Sequence, residues 1–286
     1  MSVAFPVFLM EVPVPPASPE GMRYADAHFH ADDLEAYEPG LAGSYRDLDV
    51  VGLASAHDGA GLARTRDLLD GAGPWFLSFG IHPQLPVMDE AGLLLALASS
   101  GGLAAVGECG FDFFGDVPDR ERTPANERRQ RAVFEFQLEL AEHHGLPVVL
   151  HLRRAMDLLF EYAPRLSRLP AVLLHSWGGP PNEASAFLSR CPSALFSFGT
   201  ALLNGNKKAR ASAAALPASA ILTETDAPYQ PPREAPLPGA RLARDHSTFS
   251  DLPAIIAAIA ALRGDEPEAL RATVLENFTG AFAHGL

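Results

Sequence analysis

The sequence predicts a closed (βα)8 barrel, and three observations predict it. Eight short apolar runs rich in Val, Ile, Leu and Phe recur along the 286 residues. Stretches with helical period and charged faces separate them, the alternation expected of βαβ units in a parallel sheet. Side chains suited to metal ions close five of the runs, which is how a TIM barrel gathers its functional residues on one rim.

The first run, 22–28, leads into Asp26-Ala27-His28-Phe29-His30. Side chains two apart on an extended backbone share a side, so His28 and His30 can offer two imidazole nitrogens to one ion. The acidic stretch 31–40, with Asp32, Asp33, Glu35 and Glu38, reads as a solvated helical turn. The second run, 48–54, precedes His57, which has no partner in the sequence and reads as surface. The third, 75–80, enters Gly80-Ile81-His82-Pro83; the proline fixes the backbone beyond His82, which is either structural or aimed at substrate.

The fourth run, 103–108, ends in Gly107-Glu108-Cys109-Gly110-Phe111-Asp112. A carboxylate has two oxygens and can bridge two cations, which imidazole cannot do, so Glu108 is the bridging candidate. A modified lysine cannot serve, because the lysines are Lys207 and Lys208, deep in a predicted helix. Asp112 could orient a histidine ligand through its free ring nitrogen, or anchor a loop. Phe113 and Phe114 open a long charged loop to Asn126 and either stack a nucleobase or pack under that loop.

Runs five and six, 147–151 and 171–175, end in His151 and His175. Two histidines at successive strand ends, beside His28, His30 and Glu108, favour metal ligation over a structural role. Arg153 lies on the same side of the strand as His151 and is placed to hold an anion. Runs 194–198 and 219–225 complete the eight, and the last leads to Asp226, a carboxylate able to bind a metal and accept a proton from attacking water. Helical patterns cover 127–144, 251–263 and 266–282, with Gly264 as the stop between the last two. The strand-8 loop from Tyr229 to Ser250 is stiffened by Pro231, Pro232, Pro236 and Pro238 and must lie over the rim. Within it Arg233, Arg241 and Arg244 are anion-binding candidates, and His246 could reach a leaving group.

The formal charge of -13, from 22 basic and 35 acidic residues, weighs against a sequence-reading DNA binder unless bound metal supplies local positive charge. Cys109 and Cys191 read as reduced thiols of an intracellular, cytoplasmic protein. Residues 3–10 are too short, and lack the basic flank, for a membrane span or signal peptide. A Pro-rich arm, 1–21, precedes one barrel domain, 22–286, and a monomer is the preferred state.

The order HxH, GxHP, GExGxD, PVxxH, LxH and ETDxP resembles the TatD-type metal-dependent deoxyribonucleases, a branch of the amidohydrolase-like TIM barrels, over residues 22–284. The resemblance implies metal ligands at His28, His30, Glu108, His151, His175 and Asp226, the positions reached from the strand ends. It also makes His82 and Arg153 substrate contacts. It implies two divalent cations (Zn, Mn or Mg) bridged by Glu108 and a water or hydroxide, with DNA ends, single strands or another phosphodiester as substrate and Asp226 handling the proton. The chain departs from the pattern at Ser176-Trp177, in place of a Cys-Phe pair, at Phe111, in place of Leu, and at Arg244-Asp245-His246-Ser247, in place of an Arg-Asn-Glu-Pro stretch. Two other readings stand beside it: hydrolysis of a carboxyl ester, lactone or amide by the same metals, and a binding protein with a vestigial site.

Overall fold

Strands covered on both faces need no polar alternation, and the apolar runs are of that kind. The computed structural model describes residues 23–41, 45, 49–70, 74–115, 121–233 and 245–283. In it the runs become β1 (Tyr24–Phe29), β2 (Val50–Ala56), β3 (Trp75–Phe79), β4 (Ala105–Asp112), β5 (Val148–Arg153), β6 (Val172–Leu174), β7 (Ala194–Phe198) and β8 (Ile221–Thr223). Sequential neighbours pair in parallel from β1 to β8. Backbone bonds from Asp226 N to His28 O (2.9 Å) and from His30 N to Ala227 O (2.8 Å) then join the carboxyl ends of β8 and β1.

Asp26 secures that seam. Its carboxylate accepts from Thr225 N at 2.9 Å and from the Thr225 hydroxyl at 2.6 Å. Burial pushes the Asp26 carboxyl up to about 7, against the hydrogen bonds from Thr225 that favour its charge.

Around the sheet run α1 (Ala31–Glu35), α2 (Gly59–Leu69), α3 (Ala91–Ser99), α4 (Pro124–His144), α5 (Met156–Leu166), α6 (Pro181–Leu188), α7 (Thr200–Leu203), α8 (Lys207–Ala215), α9 (Leu252–Arg263) and α10 (Pro267–Phe282). The Thr123 hydroxyl caps the start of α4 by accepting from Asn126 N, and Gly145, at φ 63°, ends it. Gly264, at φ 74°, stops α9 as its position in the sequence predicts. Asn277 of α10 donates to the carbonyls of Ala218 (2.8 Å) and Ile221 (2.9 Å), tying the last helix to the foot of β8. Lys207 and Lys208 are exposed and open α8; they do not lie deep inside a helix as the sequence reading has it.

Strand limits differ from the apolar runs where the functional rim begins. β4 continues past Glu108 to Asp112 and β5 past His151 to Arg153, so both ligand candidates sit inside strands. β6 and β8 end early, leaving His175 and Asp226 just beyond them. Two register breaks mark the same level: β1 against β2 between Asp26 and Phe29, and β4 against β5 between Val106 and Cys109. An extra residue in one strand of a pair re-aims the side chains around it, here His28 and Glu108. The arm 1–21, together with Pro236, Pro238, Arg241 and Arg244, lies outside the described residues. Among the described residues no helix is long and apolar enough to cross a membrane.

Gly107 makes the second break feasible. Its φ is 148°, and an added Cβ would meet Val149 O at 2.5 Å and Val149 Cβ at 2.7 Å. Both the backbone angle and the close approach of β5 exclude a side chain. Gly107→Ala is expected to lower unfolding stability by roughly 2 kcal/mol or more, read as a lower denaturant midpoint. An unchanged midpoint would contradict this account of the break.

Candidate metal centre

Glu108 stands at the centre of the rim, 3% exposed, and its two oxygens face two different groups of imidazoles. Oε2 lies 3.3 Å from His28 Nε2 and 3.5 Å from His30 Nε2. Those nitrogens are 3.2 Å apart, and each is 3.6 Å from Asp226 Oδ1. Two donors held about 2.1 Å from one ion at the tetrahedral angle lie about 3.4 Å apart, so these distances are the edges of a tetrahedral cage. The other oxygen, Oε1, lies 2.8 Å from His175 Nε2 and 3.2 Å from His151 Nδ1, with 3.2 Å between those nitrogens. A second ion would find three donors there and open positions for water or substrate. The structure thus brings together all six ligand candidates of the sequence.

Outer partners fix which nitrogen faces inward. His28 Nδ1 is 3.0 Å from the Ser55 hydroxyl, which contacts the Ser78 hydroxyl at 2.5 Å. His151 Nε2 is 2.9 Å from Asp112 Oδ2, the orienting role that the sequence allows for Asp112. Asp112 in turn accepts from Gln84 Nε2 and from Phe114 N, both at 2.8 Å. With its hydrogen on Nε2, His151 points a lone pair at the Glu108 carboxylate. Two acceptors face each other at 3.2 Å, and only a cation or an added proton satisfies both.

The electrostatics of the metal-free cluster follow. Burial alone would raise the Glu108 carboxyl, but His28 and His175 beside it hold it well below the usual range. Burial disfavours charge on His175, yet the facing Glu108 outweighs it and lifts the imidazole to about 10. Burial pushes His28 down to about 4 and His82 down to about 3. Part of the cluster is therefore ready to ligate, and part carries a proton that an ion must displace.

A cleft of about 1080 Å³ opens over the cluster. That is at the upper end of ordinary ligand sites. His82 sits on its wall with Nε2 3.3 Å from His151 Nδ1, and Arg153 lines it as well. Phe113 is buried in the main core, whereas Phe114 is 42% exposed on the cleft wall. His57, read as surface, is corrected: its Nε2 lies 3.2 Å from Glu108 Oε2 and it lines the cleft. Its place one residue past β2, on the rim that carries the ligands, was the available signal. Gln230 also escaped the sequence reading; its Nε2 donates to Asp226 Oδ2 at 2.5 Å and to the Ser176 hydroxyl at 2.7 Å. Buried Glu224 accepts from the Ser197 hydroxyl at 2.5 Å and lies 3.9 Å from His175 Nδ1. Tyr229 donates to Asp33 at 2.8 Å over the same cleft. His246 instead packs on Tyr37, with ring centroids 5.3 Å apart, and is absent from the cleft lining. Arg244 lies outside the described residues.

Because His175 is lifted to about 10, its proton competes with any ion at every lower pH. Zinc affinity is expected to rise about tenfold per pH unit for each proton displaced between pH 6 and 9, with proton release visible as a buffer-dependent calorimetric enthalpy. A pH-independent affinity would contradict the protonated state of the metal-free cluster.

The family model described as TatD related DNase matches residues 25–283. A 3'-5' ssDNA/RNA exonuclease TatD from Erwinia billingiae is 36% identical over 200 residues, covering 67% of this chain and 71% of the relative. The Klebsiella pneumoniae protein of the same description is 33% identical over 213 residues, 71% of this chain and 75% of its own. Among solved structures, YJJV, a TatD homolog from Escherichia coli, superposes with a TM-score of 0.73 at 25% identity, covering 92% of this chain and 98% of that one. A TatD family hydrolase from Entamoeba histolytica has a TM-score of 0.75 at 13% identity, over 91% of this chain and 98% of that one, which speaks to the fold alone. By the extent of the family match and the identity to these relatives, the chain belongs to the TatD related DNase family.

Proposed function

We propose that this protein is a two-metal hydrolase that cleaves phosphodiester bonds in single-stranded nucleic acid. The observation that carries the reading is Glu108, whose Oε2 faces His28 and His30 and whose Oε1 faces His151 and His175. His28, His30, Asp226 and Oε2 of Glu108 would hold one divalent cation; His151, His175 and Oε1 would hold the other. When bound, the cations supply a lowered pKa for the attacking water and positive charge opposite the phosphoryl oxygens.

The chain's own residues then divide the remaining work. Asp226 is kept ionised below the usual carboxylate range because, although burial opposes its charge, His30 and the other imidazoles favour it. Gln230 orients it by holding Oδ2. As the water oxygen forms its bond to phosphorus, its proton passes to Asp226, which hands that proton to the leaving oxygen as the phosphorus–oxygen bond breaks. His82, neutral at working pH, can donate a hydrogen bond to a phosphoryl oxygen without adding charge. Arg153 on the cleft wall binds the anion itself.

Two further observations support a single-stranded substrate. The net charge of -13 weighs against long-range attraction to duplex. The enterobacterial relatives are described as 3'-5' ssDNA/RNA exonucleases. The metal-loaded protein is expected to degrade a labelled single-stranded oligonucleotide faster than the same sequence in duplex form, while carboxyl esters stay intact. Glu108→Gln should lose at least ~100-fold in kcat, more than any single histidine substitution, because it touches both ions. Equal or greater loss on replacing one histidine, or ester cleavage without diester cleavage, would count against the reading.

A further inference from the structure

Two arginines on the cleft wall have no acidic partner among the described residues. Arg153 Cζ lies 4.1 Å and Arg154 Cζ 4.5 Å from the centre of the Phe114 ring, so one aromatic holds both guanidinium groups. All three residues line the cleft over the metal-type cluster. No carboxylate among the described residues pairs with either arginine, whereas Arg122 and Arg131 each hold two and Arg165 and Arg263 one. In a chain with 35 acidic and 22 basic residues, two adjacent cations without an acidic partner among the described residues stand out as a candidate anion site. Like charges brought together on one ring repel, and an anion between them removes that cost.

The arrangement is built on strands. Arg153 ends β5 two residues after His151, which places its Cα about 6.6 Å farther along the strand at ~3.3 Å per residue. Phe113 N donates to Arg153 O at 3.0 Å, joining the ends of β4 and β5. Phe114 N donates at 2.8 Å to Asp112, the same carboxylate that orients His151. The ring is thereby fixed relative to the cluster. Arg154 adopts φ 56°, a backbone angle uncommon for a residue with a side chain, and this turns it toward the ring that already carries Arg153.

We propose that Phe114, Arg153 and Arg154 form a clamp for a second phosphate, the one next to the scissile group on a single-stranded nucleic acid. Arg153 reaches toward the scissile phosphate, Arg154 takes its neighbour, and Phe114 holds the two guanidinium planes at a fixed separation. The clamp selects substrates with at least two phosphodiester links over those with one. The inference rests on the nucleic-acid reading for its ligand, but not on cleavage.

The test uses two cleavage-resistant ligands and the full-length, magnesium-loaded protein. A thymidine dinucleotide with one phosphorothioate link and a trinucleotide with two are titrated by calorimetry. The wild type should bind the trinucleotide about tenfold more tightly, the worth of one charge-assisted contact. In Arg154→Ala the ratio should fall to about one, and in Arg154→Lys it should recover in part, since the charge returns without the planar fork. Phe114→Leu, which keeps apolar bulk, should reduce it by about threefold through loss of the cation–π contacts. Equal affinity for both ligands in the wild type, or an Arg154→Ala ratio unchanged from wild type, would overturn the clamp. Because the ligands resist cleavage, a protein that binds as expected and yet cleaves no nucleic acid would overturn the nuclease reading and leave the clamp standing.

Discussion

A buried carboxylate facing four or more imidazole nitrogens is the constraint on which the rest of this structure depends. Removing a carboxylate from water costs several kcal/mol unless positive charge compensates it. At Glu108 the compensation comes from both sides at once, through His28 and His30 at one oxygen and His151 and His175 at the other. Every element near the rim serves to bring those side chains to that point. The register breaks in β1 and β4 turn His28 and Glu108 inward, Gly107 lets β4 approach β5, and the Asp26–Thr225 seam brings Asp226 next to β1. The fold and the site are one problem in packing and electrostatics.

The barrel was legible because its signal is periodic and repeated. Eight apolar runs separated by amphipathic stretches leave few alternatives, and all eight became strands in order. The six ligand candidates were legible for a related reason: each is a titratable side chain where an apolar run gives out, and a rim collects such ends. Residues without that mark were lost. His57 follows β2 by one position, on the ligand rim, but belongs to no motif, so its position was the one signal and was passed over. Gln230 and Glu224 act through contacts with residues distant in sequence, Ser176 and Ser197 among them, which only the closed barrel supplies. Strand limits were misjudged at β4 and β5 because polar residues there look like strand ends. In the barrel the ladder runs on through them, with buried Asp112 in register opposite exposed Arg153.

The same geometry divides catalysis from recognition. The cluster lies at the floor of the cleft, where burial tunes imidazoles and carboxylates against one another. The wall carries groups that solvent reaches, Phe114, Arg153 and Tyr229 among them. Charges on the wall are screened and contribute mainly to the choice and register of substrate; charges on the floor are not, and they contribute to the chemistry. On the proposed reading, a strongly acidic protein would act on an acidic polymer by drawing it to this cleft with bound cations and the two wall arginines.

The central claim is that Glu108 joins two cation sites rather than completing one. Equilibrium dialysis of the purified chain against saturating Zn or Mn, with the bound ions counted by elemental analysis, measures this directly. The account predicts two ions per chain, one held at Oε2 of Glu108 and the other at Oε1. A single ion per chain at saturation would contradict it.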